Sequence, residues 1–316
     1  MKNKSVKDVG KSILAKLLNC AKQSNIDFNR ILLLYFQERF LHRLSISEYC
    51  DRLILKGGVL FYGAHLQNAR PTRDIDFLGR NFSNNADSIL LAIQQIAKIK
   101  VNDGVVFDVN EIKLMPITQT AEYEGIRIKI PIRLDSAIQN LQVDIGFGDW
   151  ISPAPKSFDF PLLLDSNSFS ILAYSWESVI AEKFEAIVKF SYLNSRLKDF
   201  YDIYFLLTHH NFDGRQLKNA ISKTFQCRQT DIKLVFEIFS NTFKNDEMKQ
   251  TQWKAFLRKL EISFSIPFPE MMSNLQQFLH PIVDAILKDA DFSQIWDCEK
   301  FNWYIDSQSL GLKMEK

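Results

Sequence analysis

The 316-residue sequence contains few cysteines, and none of them forms a closely spaced pair. Cys20, Cys50, Cys227 and Cys298 form no CxxC motif, and their wide spacing matches no zinc or disulfide framework. Isolated thiols are typical of proteins in the reducing cytoplasm. The sequence therefore favours a cytoplasmic protein over a disulfide-stabilised or zinc-stabilised one.

Long apolar runs and a strong charge bias are also absent. No stretch is long and apolar enough to predict a membrane span. The N-terminal segment carries Lys11 and Lys16 inside an amphipathic pattern, so it does not predict a cleavable signal peptide. The net formal charge is only +2, so binding to nucleic acid would need a local basic patch rather than bulk charge.

The common nucleotide-binding and catalytic motifs are missing too. Neither the GxGxxG motif of dinucleotide-binding proteins nor the GxxxxGK[ST] motif of P-loop proteins occurs. The adjacent pair His209–His210 fits the C-terminal end of a helix, where a cation is favourable. No histidine or cysteine is a convincing catalytic group, so any chemistry must come from other residue types.

The patterns that are present divide the chain into two parts, residues 1–160 and residues 161–316. The first part mixes helical and strand-like patterns, with helices over about 11–43 and 86–98 and a short helix capped by Ser47. Its strand-like segments are DIDFLG, VVFDVNEIKLM, IRIKIPIRL and LQVDIGFGD.

The second part is mainly helical. The proline-rich segment ISPAPKSFDFPLLLD predicts a connector, and helical patterns follow at about 177–190, 196–207 and 216–225. We therefore predict an α+β fold, in which a mixed sheet with flanking helices is followed by a helical C-terminal domain.

Two aspartates in the segment DIDFLG are the first candidates for a functional site. Residues i and i+2 of a strand point to the same face, so Asp74 and Asp76 should lie side by side. Paired carboxylates repel each other unless a cation joins them, and Mg²⁺ prefers oxygen ligands. Alone the motif is a weak signal, because a surface strand can carry two solvated aspartates.

Two further features strengthen the metal-site hypothesis. Gly57 and Gly58 precede a predicted helix, where backbone N–H groups could approach phosphate oxygens; a simple turn is the alternative. Asp144 lies in a later strand-like run, where burying a carboxylate is costly unless it is paired or metal-bound. The order of glycine pair, DxD strand and single aspartate matches the motif set of the nucleotidyltransferase superfamily, whose reaction needs carboxylates for two metal ions and a phosphate cradle.

The resemblance extends to one family within that superfamily. The segments YFQERFLHRLSISEYCDRLILKGGVLF, RPTRDIDFLG, LQVDIGFGD and AYSWESVIAEKFEAIVKFSYLNSRLKDFYDIYFL resemble the AbiEii/AbiGii family of nucleotidyltransferase toxins. The similarity runs from about Ile31 to about Phe225, and KGG, RPTRDIDF, ESVIAEK and NSRLKDFYD are its most specific motifs. One departure is Val59, since family members often carry Thr or Met after KGG.

The resemblance implies a role for each matching residue. Asp74, Asp76 and Asp144 would hold two Mg²⁺ ions, and Lys183 and Asp199 would join them as catalytic residues. Lys183 would contact the triphosphate, and Asp199 would orient Lys183 or the acceptor hydroxyl. The residues implied to bind the nucleotide are Lys56, Gly57, Gly58, Thr72, Lys183 and Lys198.

Spacing alone also allows interpretations in which the helical residues have no catalytic role. Lys183 could be a solvated lysine that pairs with Glu182 or Glu185. Arg196, Asp199 and Asp202 recur at i, i+3 and i+6, which also fits a surface ladder of ion pairs, and Asp202 is interpreted as part of the scaffold.

The family also implies an NTP substrate, an antitoxin encoded nearby and, for some members, phage defence or nucleotide addition to the 3′ end of tRNA. We therefore predict a Mg²⁺-dependent nucleotidyltransferase toxin with tRNA as the leading acceptor. The alternatives are transfer to a protein or small molecule, and a non-catalytic NTP-binding module, which the presence of all three carboxylates disfavours.

Overall fold

The chain forms two compact units in a computed structural model that describes residues 6–66, 69–118, 124–260 and 266–305. The first unit comprises Met1–Gly148 and Pro155–Tyr174, and the second comprises Asp149–Ala154 and Ser175–Lys316. Among the described residues, no helix has the length and apolar character needed to cross a bilayer.

The first unit contains four helices and eight strands among its described residues. In chain order they are α1 (Val6–Ser24), α2 (Phe28–Ser45), β1 (Leu53–Lys56), α3 (Gly57–His65), β2 (Asp74–Gly79), α4 (Ala86–Lys98), β3 (Val105–Phe107), β4 (Lys113–Thr118), β5 (Glu124–Leu134), β6 (Ala137–Phe147), β7 (Lys156–Pro161) and β8 (Ser168–Ala173). The strands form one sheet in the order β3-β5-β6-β2-β1-β8-β7, and β4 also pairs with β5. The sheet is mixed, because β2–β6 and β1–β8 are parallel pairs whereas the other pairs are antiparallel.

Alternation of side chains along β5 and β6 gives this part of the sheet a buried face and a polar face. Ile128, Ile130, Leu141, Val143 and Ile145 are completely buried. Full burial of such a side chain stabilises a fold by about 1.5–3 kcal/mol. The residues between them face the opposite way, and that polar face carries the aspartates of β2 and β6.

The segment interpreted as a connector instead contains β7, and β8 follows it, so that prediction was wrong. Phe160 is 1% exposed and stacks on Phe169 of β8. Pro161 ends β7, opposite Ser168. Because β7 is the last strand at its end of the sheet, a proline there removes no hydrogen bond to a further neighbour. The prolines of this segment therefore led to the prediction of a connector where the structure has an edge strand.

Two local predictions near the sheet were also wrong. Ser47 caps no helix; its hydroxyl accepts from the Tyr49 N–H and donates to the Leu44 carbonyl in a series of turns that leads to β1. The segment VVFDVNEIKLM is two strands rather than one, because a turn that begins at Asp108 separates β3 from β4.

The second unit is mainly helical, as the sequence predicts. Its elements are α5 (Trp176–Phe190), α6 (Leu197–His209), β9 (Phe212–Asp213), α7 (Gly214–Cys227), α8 (Val235–Ile238), α9 (Asn241–Lys244), α10 (Glu247–Leu260), α11 (Phe268–Leu287), β10 (Gln294–Asp297) and β11 (Asn302–Ile305). The three short strands form a small sheet in the order β11-β10-β9, which the sequence did not predict. The predicted helices at 177–190, 196–207 and 216–225 correspond to α5, α6 and α7 with ends displaced by one or two residues. Together with the mixed sheet of the first unit, they confirm the predicted fold class.

Candidate active site

Three carboxylates from two neighbouring parallel strands meet on the polar face of the sheet. In the pairing of β2 with β6, Asp76 lies opposite Asp144 and Asp74 lies opposite Gln142. One oxygen from each of the three aspartates lies within 4.8 Å of the others. All three side chains are partly exposed, so a ligand can reach them. Three hard oxygen donors at this separation suit a divalent cation such as Mg²⁺.

The glycine pair lies directly against this cluster. β1 ends at Lys56, and Gly57 begins α3 with a φ of +71°, a conformation that favours glycine. A Cβ atom at Gly57 would lie 1.9 Å from Oδ2 of Asp76. The first N–H groups of α3 have no partner within the helix, so they are suited to an anionic ligand beside the carboxylates.

Thr72 and Gly58 make a second close contact next to the cluster. The Thr72 hydroxyl donates a hydrogen bond of 2.9 Å to Oδ1 of Asp74, which fixes the orientation of that carboxylate. A Cβ atom at Gly58 would lie 2.5 Å from the Thr72 hydroxyl oxygen. Each glycine of the pair thus leaves room for a side chain of the DxD segment. Val59, the departure from the family pattern, is completely buried and fills the core.

Lys56 is the residue that immediately precedes α3. It lies opposite Asp76 in the pairing of β1 with β2, so its side chain belongs to the same face of the sheet. Its ammonium group lies 5.2 Å from the centre of the Tyr174 ring, within the range of a cation–π interaction.

Arg127 also belongs to this cluster, although it was not predicted from the sequence. On β5 it lies opposite Asp144. Its Nε and Nη2 atoms donate to the two oxygens of Asp144 at 3.0 and 2.7 Å. This hydrogen-bonded pair raises the pKa of the Arg127 guanidinium, and the charges of Asp144, Asp74 and Asp76 act in the same direction. Arg127 is therefore a counter-ion for the carboxylates.

We expect the substitution Arg127→Gln to strengthen the binding of divalent cations. The guanidinium and a metal ion compete for the negative charge of Asp144, so its removal should tighten Mn²⁺ binding about tenfold, equivalent to about 1.4 kcal/mol. Isothermal titration calorimetry with Mn²⁺ measures this change. Arg133→Gln, on the same face of the same strand, is the matched control; unchanged or weaker Mn²⁺ binding by Arg127→Gln would contradict the interpretation.

The second unit contains a cluster of charged residues around Lys183. The Lys183 ammonium on α5 lies 2.9 Å from Oδ1 of Asp199 and 2.7 Å from Oδ2 of Asp202, both on α6. Arg196 also pairs with Asp199, at 3.0 Å. Asp199 and Asp202 are completely buried, so the interpretations as a solvated lysine and as a surface ladder were wrong. Asp202 contacts Lys183 as closely as Asp199 does, and Lys198 lies in the first turn of α6.

We expect Lys183→Met to destabilise the protein by about 3–5 kcal/mol, because it leaves two buried carboxylates without their shared cation. Urea unfolding measures the free energy, and the double substitution Lys183→Met/Asp202→Asn should recover part of it. Lys223→Met changes an exposed lysine of α7 and is the control. Near-wild-type stability of Lys183→Met would show that the ion pairs contribute little to the fold.

Residues 39–281 match the sequence profile of a nucleotidyltransferase family described as "Nucleotidyl transferase AbiEii toxin, Type IV TA system". The match covers most of the chain, and the chain belongs to this AbiEii toxin family. The family inferred from the sequence motifs is thereby confirmed.

Two solved structures from Helicobacter pylori resemble the chain at low sequence identity. The first, of JHP933, has 16% identity and a TM-score of 0.45, covering 83% of this chain and 93% of its own. The second, of a candidate nucleotidyltransferase, has 15% identity and a TM-score of 0.46, covering 84% of this chain and 100% of its own. No curated protein sequence is significantly similar to the chain.

Proposed function

We propose that the protein transfers a nucleoside monophosphate from an NTP to an acceptor hydroxyl group. The acceptor oxygen forms a bond to the α-phosphorus, the bond from that phosphorus to the bridging oxygen of the β-phosphate breaks, and pyrophosphate leaves. The acceptor proton passes to solvent. The observation that carries the proposal is the meeting of Asp74, Asp76 and Asp144 within 4.8 Å beside the glycine-lined start of α3.

The donor set fits Mg²⁺, since carboxylate oxygens are its preferred protein ligands. Asp74, Asp76 and Asp144 would hold two ions. When bound, the ions would activate the acceptor hydroxyl and neutralise the leaving pyrophosphate. The backbone N–H groups of Gly57 and Gly58 would bind phosphate oxygens, and Thr72 would keep Asp74 oriented.

Basic residues would also contact the triphosphate. We assign Lys56, Lys183 and Lys198 to triphosphate contact and Asp199 to the orientation of Lys183. The Lys183–Asp199 pair supports this last assignment, because a hydrogen-bonded carboxylate fixes the position of the ammonium group.

The acceptor that we propose is the 3′ end of tRNA, and the biological role is that of a toxin. The family description supports the toxin role, because it places AbiEii proteins in toxin–antitoxin systems. A cognate antitoxin protein is then the expected partner, and phage defence is the expected setting. The NTP and tRNA substrates agree with the cytoplasmic location expected from the sequence.

Transfer of label from each α-labelled NTP tests the reaction and its acceptor together. The purified protein is incubated with Mg²⁺ and one NTP in the presence of total tRNA, periodate-oxidised tRNA or cell proteins. We expect label in intact tRNA and none in oxidised tRNA, which lacks the 3′-terminal diol. Label in protein or in a small molecule would replace the proposed acceptor. NTP binding by calorimetry without label in any acceptor would overturn catalysis.

A further inference from the structure

The polar face of β4, β5 and β6 continues beyond the carboxylates as a surface that carries basic residues. Strand pairing places Gln142 opposite Lys129, and Lys129 opposite Lys113. Gln142 in turn lies opposite Asp74. One row across the sheet therefore runs from a proposed metal ligand to two lysines. Arg133 lies on the same face of β5, since it is four residues beyond Lys129.

These three residues, Lys113, Lys129 and Arg133, are exposed and form what we name the basic row. Among the described residues of the polar face of β4–β6, Asp144 is the single acidic side chain, and it is paired with Arg127. Within the described part of the chain, no carboxylate makes an ion pair with a member of the basic row. The row therefore presents its positive charge to solvent.

The placement of Lys113 and Lys129 has a cost for folding. Like charges directly opposite each other on neighbouring strands destabilise a sheet. The opposite face of β5 carries the buried side chains of Ile128, Ile130 and Ile132, so burial of that face fixes the side of the sheet on which Lys129 lies. A neutral residue at either position would relieve the repulsion without affecting the buried face.

We infer that the basic row binds the phosphate backbone of an RNA acceptor and leads its end to the carboxylates. The inference rests on the proposed transferase function. At about 3.4 Å per residue, Arg133 lies about 20 Å along β5 from Arg127, and Lys129 lies about 7 Å from it. That length exceeds a bound triphosphate, so the row suits a polyanion that extends away from the site. It also provides the local patch that nucleic-acid binding requires in a chain whose net charge is only +2.

The test compares two triple variants with the same change in net charge. Lys113→Gln/Lys129→Gln/Arg133→Gln removes the basic row, and Lys16→Gln/Lys22→Gln/Lys98→Gln removes exposed lysines of α1 and α4. Binding of 5′-fluorescent tRNA is measured by anisotropy without NTP, at several salt concentrations. We expect the first variant to bind at least about tenfold more weakly, with a log–log salt slope smaller by about 2–3. The KM for tRNA should rise while kcat and the KM for NTP stay unchanged, and the control should resemble the wild type.

The outcomes separate this inference from the proposed function. Equal affinity and salt slope for the two triple variants would overturn the inference, even if the wild type transfers label to tRNA. Weaker tRNA binding by the row variant, in a protein that transfers no label, would support the RNA-binding face and overturn the proposed reaction. The single variant Lys129→Glu, which replaces repulsion of Lys113 by attraction, should fold at least as stably as the wild type and also bind tRNA more weakly.

Discussion

Asp76→Asn lowers the rate of nucleotide transfer by at least about 1000-fold, equivalent to about 4 kcal/mol of activation free energy. Asp76 is the central residue of the cluster: it lies on β2 opposite Asp144 on one side and opposite Lys56 on the other. Its Oδ2 atom is also the group that Gly57 approaches. An amide at this position keeps the shape of the side chain but removes the charge that a divalent cation needs.

The same substitution should leave the fold intact. In the absence of metal, the three carboxylates repel each other, so loss of one charge relieves repulsion and does not lower the free energy of unfolding. We expect an unchanged or higher urea midpoint, together with weaker Mn²⁺ binding in calorimetry. Asp51→Asn, at an exposed position in the turn before β1, is the matched control and should behave like the wild type.

Initial rates with an α-labelled NTP at saturating Mg²⁺ measure the effect. A rate within about tenfold of the wild type would show that Asp76 is not a metal ligand and would contradict the proposed mechanism. Loss of the rate accompanied by a collapsed unfolding midpoint would instead make Asp76 a structural residue.

The part of the site that lies within one strand could be predicted from sequence periodicity. Asp74 and Asp76 share a face because side chains alternate along a strand. The contribution of Asp144 could not follow from periodicity, because it depends on the parallel pairing of β2 with β6 across nearly seventy residues of chain. The prediction that Asp144 joins Asp74 and Asp76 came instead from the order of the motifs in the nucleotidyltransferase superfamily.

Arg127 was missed for the same physical reason. In the segment IRIKIPIRL it is one of several regularly spaced basic residues, and nothing local distinguishes it from Lys129 or Arg133. Only the register of β5 against β6 places Arg127 opposite Asp144 and places the other two beyond it. For Lys183, the family resemblance implied the contact with Asp199, but periodicity could not show the contact with Asp202 or the burial of the two carboxylates, because both lie on a different helix.

Gly57→Ala is expected to lower the rate of nucleotide transfer by at least about 100-fold, equivalent to about 3 kcal/mol. Backbone strain and displacement of the Asp76 carboxylate could each cause this loss, and the variant Gly148→Ala distinguishes between them. Both glycines have positive φ, +71° and +83°, so alanine at either position introduces backbone strain of about 1–2 kcal/mol. The surroundings differ, however: a Cβ at Gly57 meets Oδ2 of Asp76 at 1.9 Å, whereas a Cβ at Gly148 meets no atom within 4 Å.

Strain alone would therefore lower the stability of both variants by similar amounts, as measured by urea unfolding. Displacement of the Asp76 carboxylate would weaken Mn²⁺ binding and transfer in Gly57→Ala only. If Gly148→Ala loses as much transfer as Gly57→Ala, the glycine at position 57 is required for its backbone conformation and not for the space it leaves beside Asp76. If only Gly57→Ala fails, the close approach of α3 to the carboxylates is itself a requirement of the site, because that space is where the phosphate-binding N–H groups and the metal ligands come together.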